Sequence, residues 1–226
     1  MEITYYGHSC FLFNIGDIRV LFDPFISPNP LAAEINLDRI KADYILLSHG
    51  HNDHVADAEY LARKNNAMIV SSFEIVSWFQ QKGIEKVHPM NTGGKVHLEF
   101  GTVKMVNAIH SNSLPDGTYG GSAAGFVVES AEKTFYFAGD TALTLDMKLL
   151  ADQFRLDFAL LPIGDNFTMD MQDAMLAANL GNTRKVIGMH YDTFPYIEID
   201  PIEANIIANR ADKELVLMEI GQTLSL

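Results

Sequence analysis

The sequence has few basic residues, almost no cysteine and no long apolar segment. Its 226 residues include 16 Lys and Arg against 29 Asp and Glu, a formal charge of −13, and one cysteine, Cys10. A lone cysteine excludes an intramolecular disulfide framework and suits a reducing compartment. The acidic balance argues against a broad surface for nucleic acid or anionic membrane, because sparse Lys and Arg would first have to overcome long-range repulsion. No apolar run approaches the roughly 20 residues of a membrane-spanning helix.

The N-terminal residues also lack the features of a targeting sequence. Residues 1–23 contain neither a basic start nor a continuous apolar stretch before a small-residue cleavage site, so we expect a cytoplasmic protein. No linker or low-complexity tract divides the chain, and we expect residues 1–226 to form a single domain. The hydrophobic content of 48% is ample for a buried core.

Hydrophobic periodicity predicts antiparallel strands first and strand–helix alternation later. Strands are predicted over 2–6, 10–15, 18–23, 44–47, 67–71, 95–98, 102–109, 124–130, 133–138, 157–161, 185–189 and 214–219. Helices are predicted over 54–64, 73–82, 146–155, 170–180 and from Pro201 to about Asp212. This order favours sheets covered by helices, an α+β or α/β layered fold. Residues 111–122 contain three Gly and one Pro and are predicted to form a mobile loop.

Three histidines and one aspartate lie within six residues, directly after the predicted strand 44–47. They form the pattern H-x-H-x-D-H with His49, His51, Asp53 and His54. Because residues two apart in an extended segment project to the same side, His49 and His51 can bind one ion. Where the chain then turns into a helix, Asp53 and His54 point another way and can hold a second ion. Imidazole and carboxylate ligands suit Zn²⁺, Mn²⁺ or Fe²⁺.

Two ions need more ligands than this motif offers, and three candidates follow other predicted strands. His110, Asp140 and His190 each lie at the end of such a strand. Each residue taken alone is better explained as a capping or surface residue, but together with the motif the three favour a role as metal ligands. Strand ends at one edge of a sheet are, however, where layered folds build their sites. The alternative for the motif itself is a solvated polar loop or a helix cap at Asn52 or Asp53.

These segments together resemble the metallo-β-lactamase superfamily. The similarity rests on HGHNDH at 49–54, AIH at 108–110, AGDT at 138–141 and GMH at 188–190. Within the superfamily, GHSCF at 7–11, LFDP at 21–24 and LPIGDNFTM at 161–169 resemble small predicted metal-dependent hydrolases. These are related to ascorbate-6-phosphate lactonase and, more distantly, to N-acylphosphatidylethanolamine phospholipase D. The resemblance covers nearly the whole chain and implies an α+β fold, a four-layer αβ/βα sandwich with its metals at one edge.

The resemblance also implies a ligand set for two divalent metal ions. The first ion is expected on His49, His51 and His110, the second on Asp53, His54 and His190, with Asp140 and a hydroxide bridging both. We expect zinc, while the ligand types also allow Mn, Fe or Ni.

A shared water between two cations predicts hydrolysis as the reaction. Its pKa falls from about 15.7 towards about 7, so hydroxide is present near neutral pH. Asp53 can orient this hydroxide and later pass a proton to the leaving group. His8 is predicted to donate a proton or contact the substrate, with a local hydrogen-bonding role as the alternative. Asp23 is predicted to support a ligand histidine, or to be a residue of a strand-end turn.

Three further polar residues are candidate substrate contacts. Asn166 and Thr168 follow a predicted buried strand, and Tyr191 follows His190. A capping role for the first two and a packing role for Tyr191 are the alternatives. His88, expected in a turn, and His97, on a short strand, fit no constellation and are interpreted as structural or exposed.

Three functions remain compatible with these residues. The first is a hydrolase of a small-molecule ester, lactone or amide, and the second is a phosphodiesterase acting on phospholipid or nucleic acid. The third is a non-catalytic metal-binding module, which the complete ligand set disfavours because structural sites close their coordination with protein ligands. Lys or Arg around the metals would favour a phosphodiesterase, whereas a neutral or apolar pocket would favour the first function. Assembly into a homo-oligomer is compatible with the sequence.

Overall fold

Two seven-stranded mixed sheets form the centre of the protein, whose computed structural model describes all 226 residues. In chain order, the strands of the first sheet are Glu2–Gly7 (β1), Cys10–Ile15 (β2), Ile18–Phe22 (β3), Tyr44–Leu46 (β4), Met68–Ser72 (β5), Val87–Met90 (β6) and Thr223–Ser225 (β14). Those of the second sheet are Lys95–Leu98 (β7), Gly101–Asn107 (β8), Ala124–Glu129 (β9), Thr134–Phe137 (β10), Phe158–Pro162 (β11), Lys185–Met189 (β12) and Glu214–Val216 (β13).

Each sheet is antiparallel in one half and parallel in the other. The first sheet has the order β14-β1-β2-β3-β4-β5-β6, antiparallel up to β3 and parallel from β3 to β6. The second has the order β13-β12-β11-β10-β9-β8-β7, parallel from β13 to β10 and antiparallel beyond. The parallel strands are joined through crossover segments that carry the helices.

Six helices flank the two sheets. They are Asn52–Val55 (α1), Ala58–Asn65 (α2), Phe73–Gln81 (α3), Met147–Gln153 (α4), Met171–Leu180 (α5) and Pro201–Arg210 (α6). Helices α2 and α3 pack on β5 of the first sheet, while α5 packs on β11 and α6 on β13 of the second. Helix, sheet, sheet and helix therefore form four layers, and the predicted αβ/βα sandwich is confirmed.

The alternation of side chains along β2 shows how the sequence fills both sides of a sheet. Phe11 and Phe13 belong to the cluster of 42 buried residues that includes the space between the sheets. Cys10 and Leu12 point the other way, into a cluster of 20 buried residues beneath the helices of the first sheet. Both faces of this strand are apolar because helices cover one and the second sheet covers the other. Burial raises the pKa of the Cys10 thiol, which suits an inert packing role.

Stacked phenylalanines join the two sheets. The ring of Phe13 in β2 lies 4.5 Å from that of Phe135 in β10, at an interplanar angle of 5°. Phe158 in β11 stacks on Phe135 at 5.1 Å. All three side chains are buried. The stack therefore connects the first sheet to the parallel half of the second.

Three local expectations differ from the structure. The predicted helix 54–64 is interrupted between α1 and α2, where the Asp57 carboxylate accepts hydrogen bonds from Ile26 N and Ser27 N. His88 and Pro89 lie in β6 instead of a turn, and β6 is an edge strand, where the missing N–H of proline is tolerated. The short edge strand β14, which was not predicted, pairs with β1.

None of the helices combines the length with the apolar character that crossing a membrane would require.

Replacing Phe13 by alanine is expected to destabilise the protein strongly. The substitution removes the first ring of the stack and leaves a cavity between the sheets, at a cost of about 3–5 kcal/mol. Urea denaturation followed by circular dichroism measures this loss.

Phe73→Ala provides the matched control, because the Phe73 side chain is 60% exposed. Its effect on the free energy of unfolding is expected to stay within about 0.5 kcal/mol. Equal losses in the two variants would contradict the role of the stack.

Candidate metal centre

Strand direction brings all the predicted metal ligands to one edge of the molecule. In the first sheet β1, β3 and β4 run the same way, and their carboxyl ends lead to His8, Asp23 and the motif at 49–54. In the second sheet β8, β10 and β12 share a direction and lead to His110, Asp140 and His190. Residues far apart in the sequence therefore converge because each follows the carboxyl end of a strand.

Backbone hydrogen bonds join the two sheets at this edge. His190 N donates to His8 O at 2.9 Å, and Ala124 N donates to Ser48 O at 3.0 Å. His8, Asp23 and His190 have φ angles of 57°, 41° and 57°, in the left-handed region that non-glycine residues seldom adopt. Such backbone persists where surrounding contacts enforce it, and it is concentrated at functional sites.

The first cluster of ligands contains three histidines. His49 Nε2 lies 3.0 Å from His51 Nδ1, and the ligand atoms of His49, His51 and His110 all lie within 4.8 Å of one another. Ligands on a tetrahedral ion with bonds of about 2.0 Å are about 3.3 Å apart, so this spacing fits a common ion. His51 lies in extended backbone directly before α1, as the motif predicts.

The second cluster combines Asp53 and His54 of α1 with His190 and His8. Their ligand atoms also lie within 4.8 Å of one another. Asp53 Oδ2 is 3.9 Å from His54 Nε2 and 4.0 Å from His190 Nε2. Asp53 and His54 lie in the single turn of α1. The His54 ring lies only 4.1 Å from the His49 ring, so the second cluster directly adjoins the first.

Asp140 lies between the two clusters. Its Oδ2 is 3.0 Å from His190 Nε2 and 3.3 Å from His54 Nε2, on the side of the second cluster. The same oxygen is 3.6 Å from His110 Nε2 and 3.8 Å from His49 Nε2, on the side of the first. One carboxylate surrounded by four imidazole nitrogens is the arrangement expected of a ligand shared by two ions.

Asp23 orients a histidine of each cluster. His54 Nδ1 donates to Asp23 Oδ2 at 2.9 Å, which leaves His54 Nε2 free to bind a cation. Ser48 Oγ donates to the same carboxylate oxygen at 2.6 Å and lies 2.9 Å from His49 Nδ1. The Ser48 oxygen can therefore accept from His49 Nδ1, which directs the lone pair of His49 Nε2 towards the first cluster. The hydrogen bond of Asp23 to a candidate ligand histidine is present as predicted. The position of Ser48 between Asp23 and His49 was not predicted.

Asn112 attaches the loop 111–122 to the ligand motif. Its Oδ1 accepts from Gly50 N at 2.7 Å, and its Nδ2 donates to Gly120 O at 2.9 Å. A Cβ atom at Gly50 would lie 3.1 Å from the Leu114 side chain, so the glycine permits this close approach. Ser72 Oγ also donates to Gly120 O at 2.8 Å. The loop that we predicted to be mobile is thus anchored to the segment between His49 and His51.

The electrostatics of the site favour the binding of cations. Burial lowers the pKa of His49, His51 and His110, which keeps them neutral and able to act as ligands. Burial would raise the pKa of Asp140, but the neighbouring His190 and His54 hold it well below its usual range. Burial opposes protonation of His54, yet Asp140 and Asp23 outweigh it and raise its pKa. The cluster therefore attracts positive charge where His54 and Asp140 meet.

Unpartnered atoms support the same interpretation. His54 Nε2 and Asp140 Oδ1 are buried and have no hydrogen-bond partner. No Lys or Arg forms an ion pair with Asp53 or Asp140, whose ion-pair contacts are all to histidines. A buried carboxylate such as that of Asp140 is costly without a compensating cation. The donor set thus fits divalent metal ions, which would supply the missing charge.

His8 lies beside this site and is fully buried. Burial lowers its pKa to about 4, so the ring is neutral at pH 7. Because an ionised carboxylate only accepts, His8 Nε2 donates to Asp53 Oδ2 at 3.2 Å. Its Nδ1 can then accept from Thr193 Oγ1, at 2.9 Å. His8 therefore contacts a predicted ligand and does not line the cavity described next.

A cavity of about 670 Å³ opens onto the two clusters. Its walls combine predicted ligands with aromatic and proline side chains, and they include no Lys or Arg. The lining residues are Phe25, Pro28, His51, Asn52, Asp53, His110, Ser111, Asp140, Phe167, His190, Phe194, Pro195 and Tyr196.

The predicted substrate contacts Asn166, Thr168 and Tyr191 are not among the residues that line the cavity. Phe167, which lies between the first two, takes the position on the wall. The Tyr191 hydroxyl is directed towards Met218 O, at 3.4 Å. From the sequence we favoured polar side chains here and missed the aromatic residues of the cavity. A Phe or Tyr within an otherwise polar loop is the only sequence signal that could have indicated them.

Comparisons with known proteins agree with this geometry. A family model for the beta-lactamase superfamily domain matches residues 2–190. A UPF0173 metal-dependent hydrolase of Christiangramia forsetii is 52% identical over 227 residues, covering 100% of both chains. The UPF0173 metal-dependent hydrolase YtkL of Bacillus subtilis is 42% identical over 232 residues, again covering 100% of both. Among solved structures, Igni18, a metallo hydrolase of Ignicoccus hospitalis, is 33% identical with a TM-score of 0.88, over 99% of this chain and 97% of that one.

Replacing Asp23 by asparagine is expected to weaken metal binding without unfolding the protein. The amide N–H₂ would face His54 Nδ1 and favour the tautomer that carries a proton on Nε2, the atom needed by the metal. Loss of such a supporting carboxylate typically lowers metal affinity by about 10- to 100-fold. Competition with a chromophoric chelator measures the affinity.

Asp43→Asn is the matched control, because Asp43 pairs with Arg19 away from the metal centre. It should leave metal affinity unchanged. Unchanged affinity in Asp23→Asn as well would contradict the orienting role of Asp23.

Proposed function

Since the chain belongs to the beta-lactamase superfamily and, within it, to the UPF0173 family of metal-dependent hydrolases, we propose that it hydrolyses a small-molecule ester, lactone or amide at a centre of two divalent metal ions. The metal-dependent hydrolase class follows from the family. The substrate class, the presence of two ions and their identity as zinc are our proposals. Manganese, iron and nickel are the alternatives that the same ligands accept.

The observation that carries the substrate class is the absence of Lys and Arg from the walls of the cavity. Phosphodiesters and nucleic acids are bound largely through such cationic side chains. The walls instead present aromatic and proline side chains opposite the carboxylates and imidazoles. This composition favours an uncharged substrate over the phosphodiesterase alternative.

The donor set supports two ions over a non-catalytic module. His49, His51 and His110 would hold one ion, and Asp53, His54 and His190 the other, with Asp140 shared. Some of these ligands line an open cavity, whereas a structural site encloses its ion with protein ligands. When bound, the two ions would polarise the scissile carbonyl and lower the pKa of a coordinated water.

Asp53 is the proposed proton-transfer residue, and His8 is proposed to hold it in position. Asp53 lines the cavity and, once a substrate is bound, can orient the attacking water and pass a proton to the leaving group. Its pKa is held low because the hydrogen bond from His8 and the neighbouring His54 outweigh burial. We assign His8 a positioning role: its N–H holds the Asp53 carboxylate at the angle the reaction requires.

The similarity to ascorbate-6-phosphate lactonase in the segments 7–11 and 161–169 favours a lactone among these substrates. A phosphate on such a lactone would find no Lys or Arg in the cavity. We therefore propose lactonase-like chemistry on a substrate without a phosphate. The cytoplasmic location and the assembly into a homo-oligomer stay predictions.

Metal analysis and a substrate screen test the function directly. Protein purified without added metal is expected to contain close to two ions per chain by plasma mass spectrometry. Chelation should abolish turnover of esters, lactones or amides, and added Zn²⁺ or Mn²⁺ should restore it. Free metal at 100 times its dissociation constant should stabilise the protein by about 2.7 kcal/mol per site. Turnover of phosphodiesters alone would contradict the proposed substrate class.

The role of His8 is tested by two substitutions of similar size. His8→Leu removes the donor to Asp53 and is expected to lower kcat by about 10- to 100-fold with little change in KM, the effect typical of a supporting residue. His8→Gln keeps an N–H group and should retain more activity. A rise in KM alone would indicate a substrate contact, and equal loss of kcat in both variants would indicate a proton donor.

A further inference from the structure

Two exposed aromatic side chains form the mouth of the cavity. Phe167 is 51% exposed and Tyr196 is 73% exposed. Their rings lie 6.3 Å apart at an interplanar angle of 78°, an edge-to-face arrangement. Both line the same cavity as Asp53 and Asp140. A solvent-exposed apolar surface therefore lies beside the predicted metal ligands.

Exposure alone does not distinguish this pair from other aromatic side chains. Phe73 is 60% exposed and Tyr119 is 67% exposed, yet neither lines the cavity. Scattered apolar residues of this kind are normal on protein surfaces. Phe167 and Tyr196 differ from these residues because they line the cavity that the predicted ligands also line.

The backbone attaches both rings to the metal centre. Phe167 lies in a turn that begins with Asp165 N donating to Met169 O at 3.0 Å, and Met169 is buried. Tyr196 precedes the fully buried Ile197, whose carbonyl accepts from Asp192 N at 2.8 Å. The second of these loops begins directly after His190. These hydrogen bonds fix the backbone of the two loops that carry the rings.

Two less exposed aromatic residues, Phe25 and Phe194, also line the cavity. The rings of Phe25 and Phe194 lie 6.3 Å apart, and each approaches the buried ring of His8, at 5.6 Å and 5.5 Å. An apolar group entering the cavity would therefore meet aromatic side chains from the mouth down to the ligands. It would meet no Lys or Arg on the way.

We propose that the aromatic mouth of Phe167 and Tyr196 is a subsite for an uncharged aromatic arm of the substrate, placed beside the bond that is cleaved. This inference rests on the proposed hydrolysis of a small ester, lactone or amide. Edge-to-face and stacked contacts with the two rings would add to the burial of the arm. The subsite selects aryl-substituted carbonyl compounds over short aliphatic ones.

Binding of two hydroxamates to the metal-loaded protein tests the subsite. Acetohydroxamate and phenylacetohydroxamate share the metal-binding group and differ in the aromatic arm. Isothermal titration calorimetry is expected to show about tenfold tighter binding of the phenyl compound, since one buried aromatic contact accounts for such a factor. The Phe167→Ala/Tyr196→Ala double variant should lose most of this difference and still bind acetohydroxamate.

The Phe73→Ala/Tyr119→Ala double variant is the matched control, because it removes the same two side-chain types from exposed positions outside the cavity. It should keep the tenfold preference. Equal binding of the two hydroxamates by the unaltered protein would overturn the proposal, as would retention of the preference in Phe167→Ala/Tyr196→Ala. Binding of neither hydroxamate would overturn it too, because the cavity would then not admit the arm beside the metals.

The same measurements separate this proposal from the proposed function. A phenyl preference in a protein that turns over no ester, lactone or amide would contradict the hydrolysis and leave the subsite standing. Turnover of aliphatic and aromatic substrates with equal kcat/KM, together with equal hydroxamate affinities, would contradict the subsite and leave the hydrolysis standing.

Discussion

The buried carboxylate of Asp23 is the interaction on which the metal centre depends. It accepts directly from His54 and reaches His49 through Ser48, so one side chain sets the orientation of a histidine in each cluster. It also accepts from Ser48 N at 2.8 Å, which attaches the start of the ligand motif to the end of β3. The two clusters of candidate ligands therefore share one support, and a change at Asp23 would alter the orientation of a histidine in each.

The negative charge of two carboxylates is the second feature of this centre. Asp53 and Asp140 are ionised in a region without Lys or Arg. Burial keeps His49 neutral, and His54, whose pKa is raised, offers only partial compensation for two carboxylates. A pair of divalent ions would compensate these carboxylates and leave the centre attractive to the oxygen of a carbonyl. The formal charge of −13 is a total for the whole protein, and the local charge at this edge of the sheets would differ from it once metal ions are bound.

Local sequence patterns predict much of the fold and most of the candidate ligands. The H-x-H-x-D-H motif was recognisable because its ligands are close in sequence and its two halves adopt extended and helical backbone. His110, Asp140 and His190 could be proposed because each follows an apolar strand. Substrate contacts were harder, since the turn at 165–169 brings Phe167 to the cavity wall and leaves Asn166 and Thr168 off it. That choice depends on packing against residues that are remote in sequence.

The sequence by itself determined the types of side chain, their spacing and the strand ends from which they project, and these suffice for the layered fold and the donor set. Only the tertiary structure decided which donors meet, that His8 turns its N–H to Asp53 and that four aromatic rings line the cavity beside the carboxylates. The physical reason is that strand formation follows local periodicity, whereas these contacts depend on the register and direction of strands in two separate sheets. The side-chain types therefore determine which reaction is possible, and their arrangement in the folded protein determines which substrates fit.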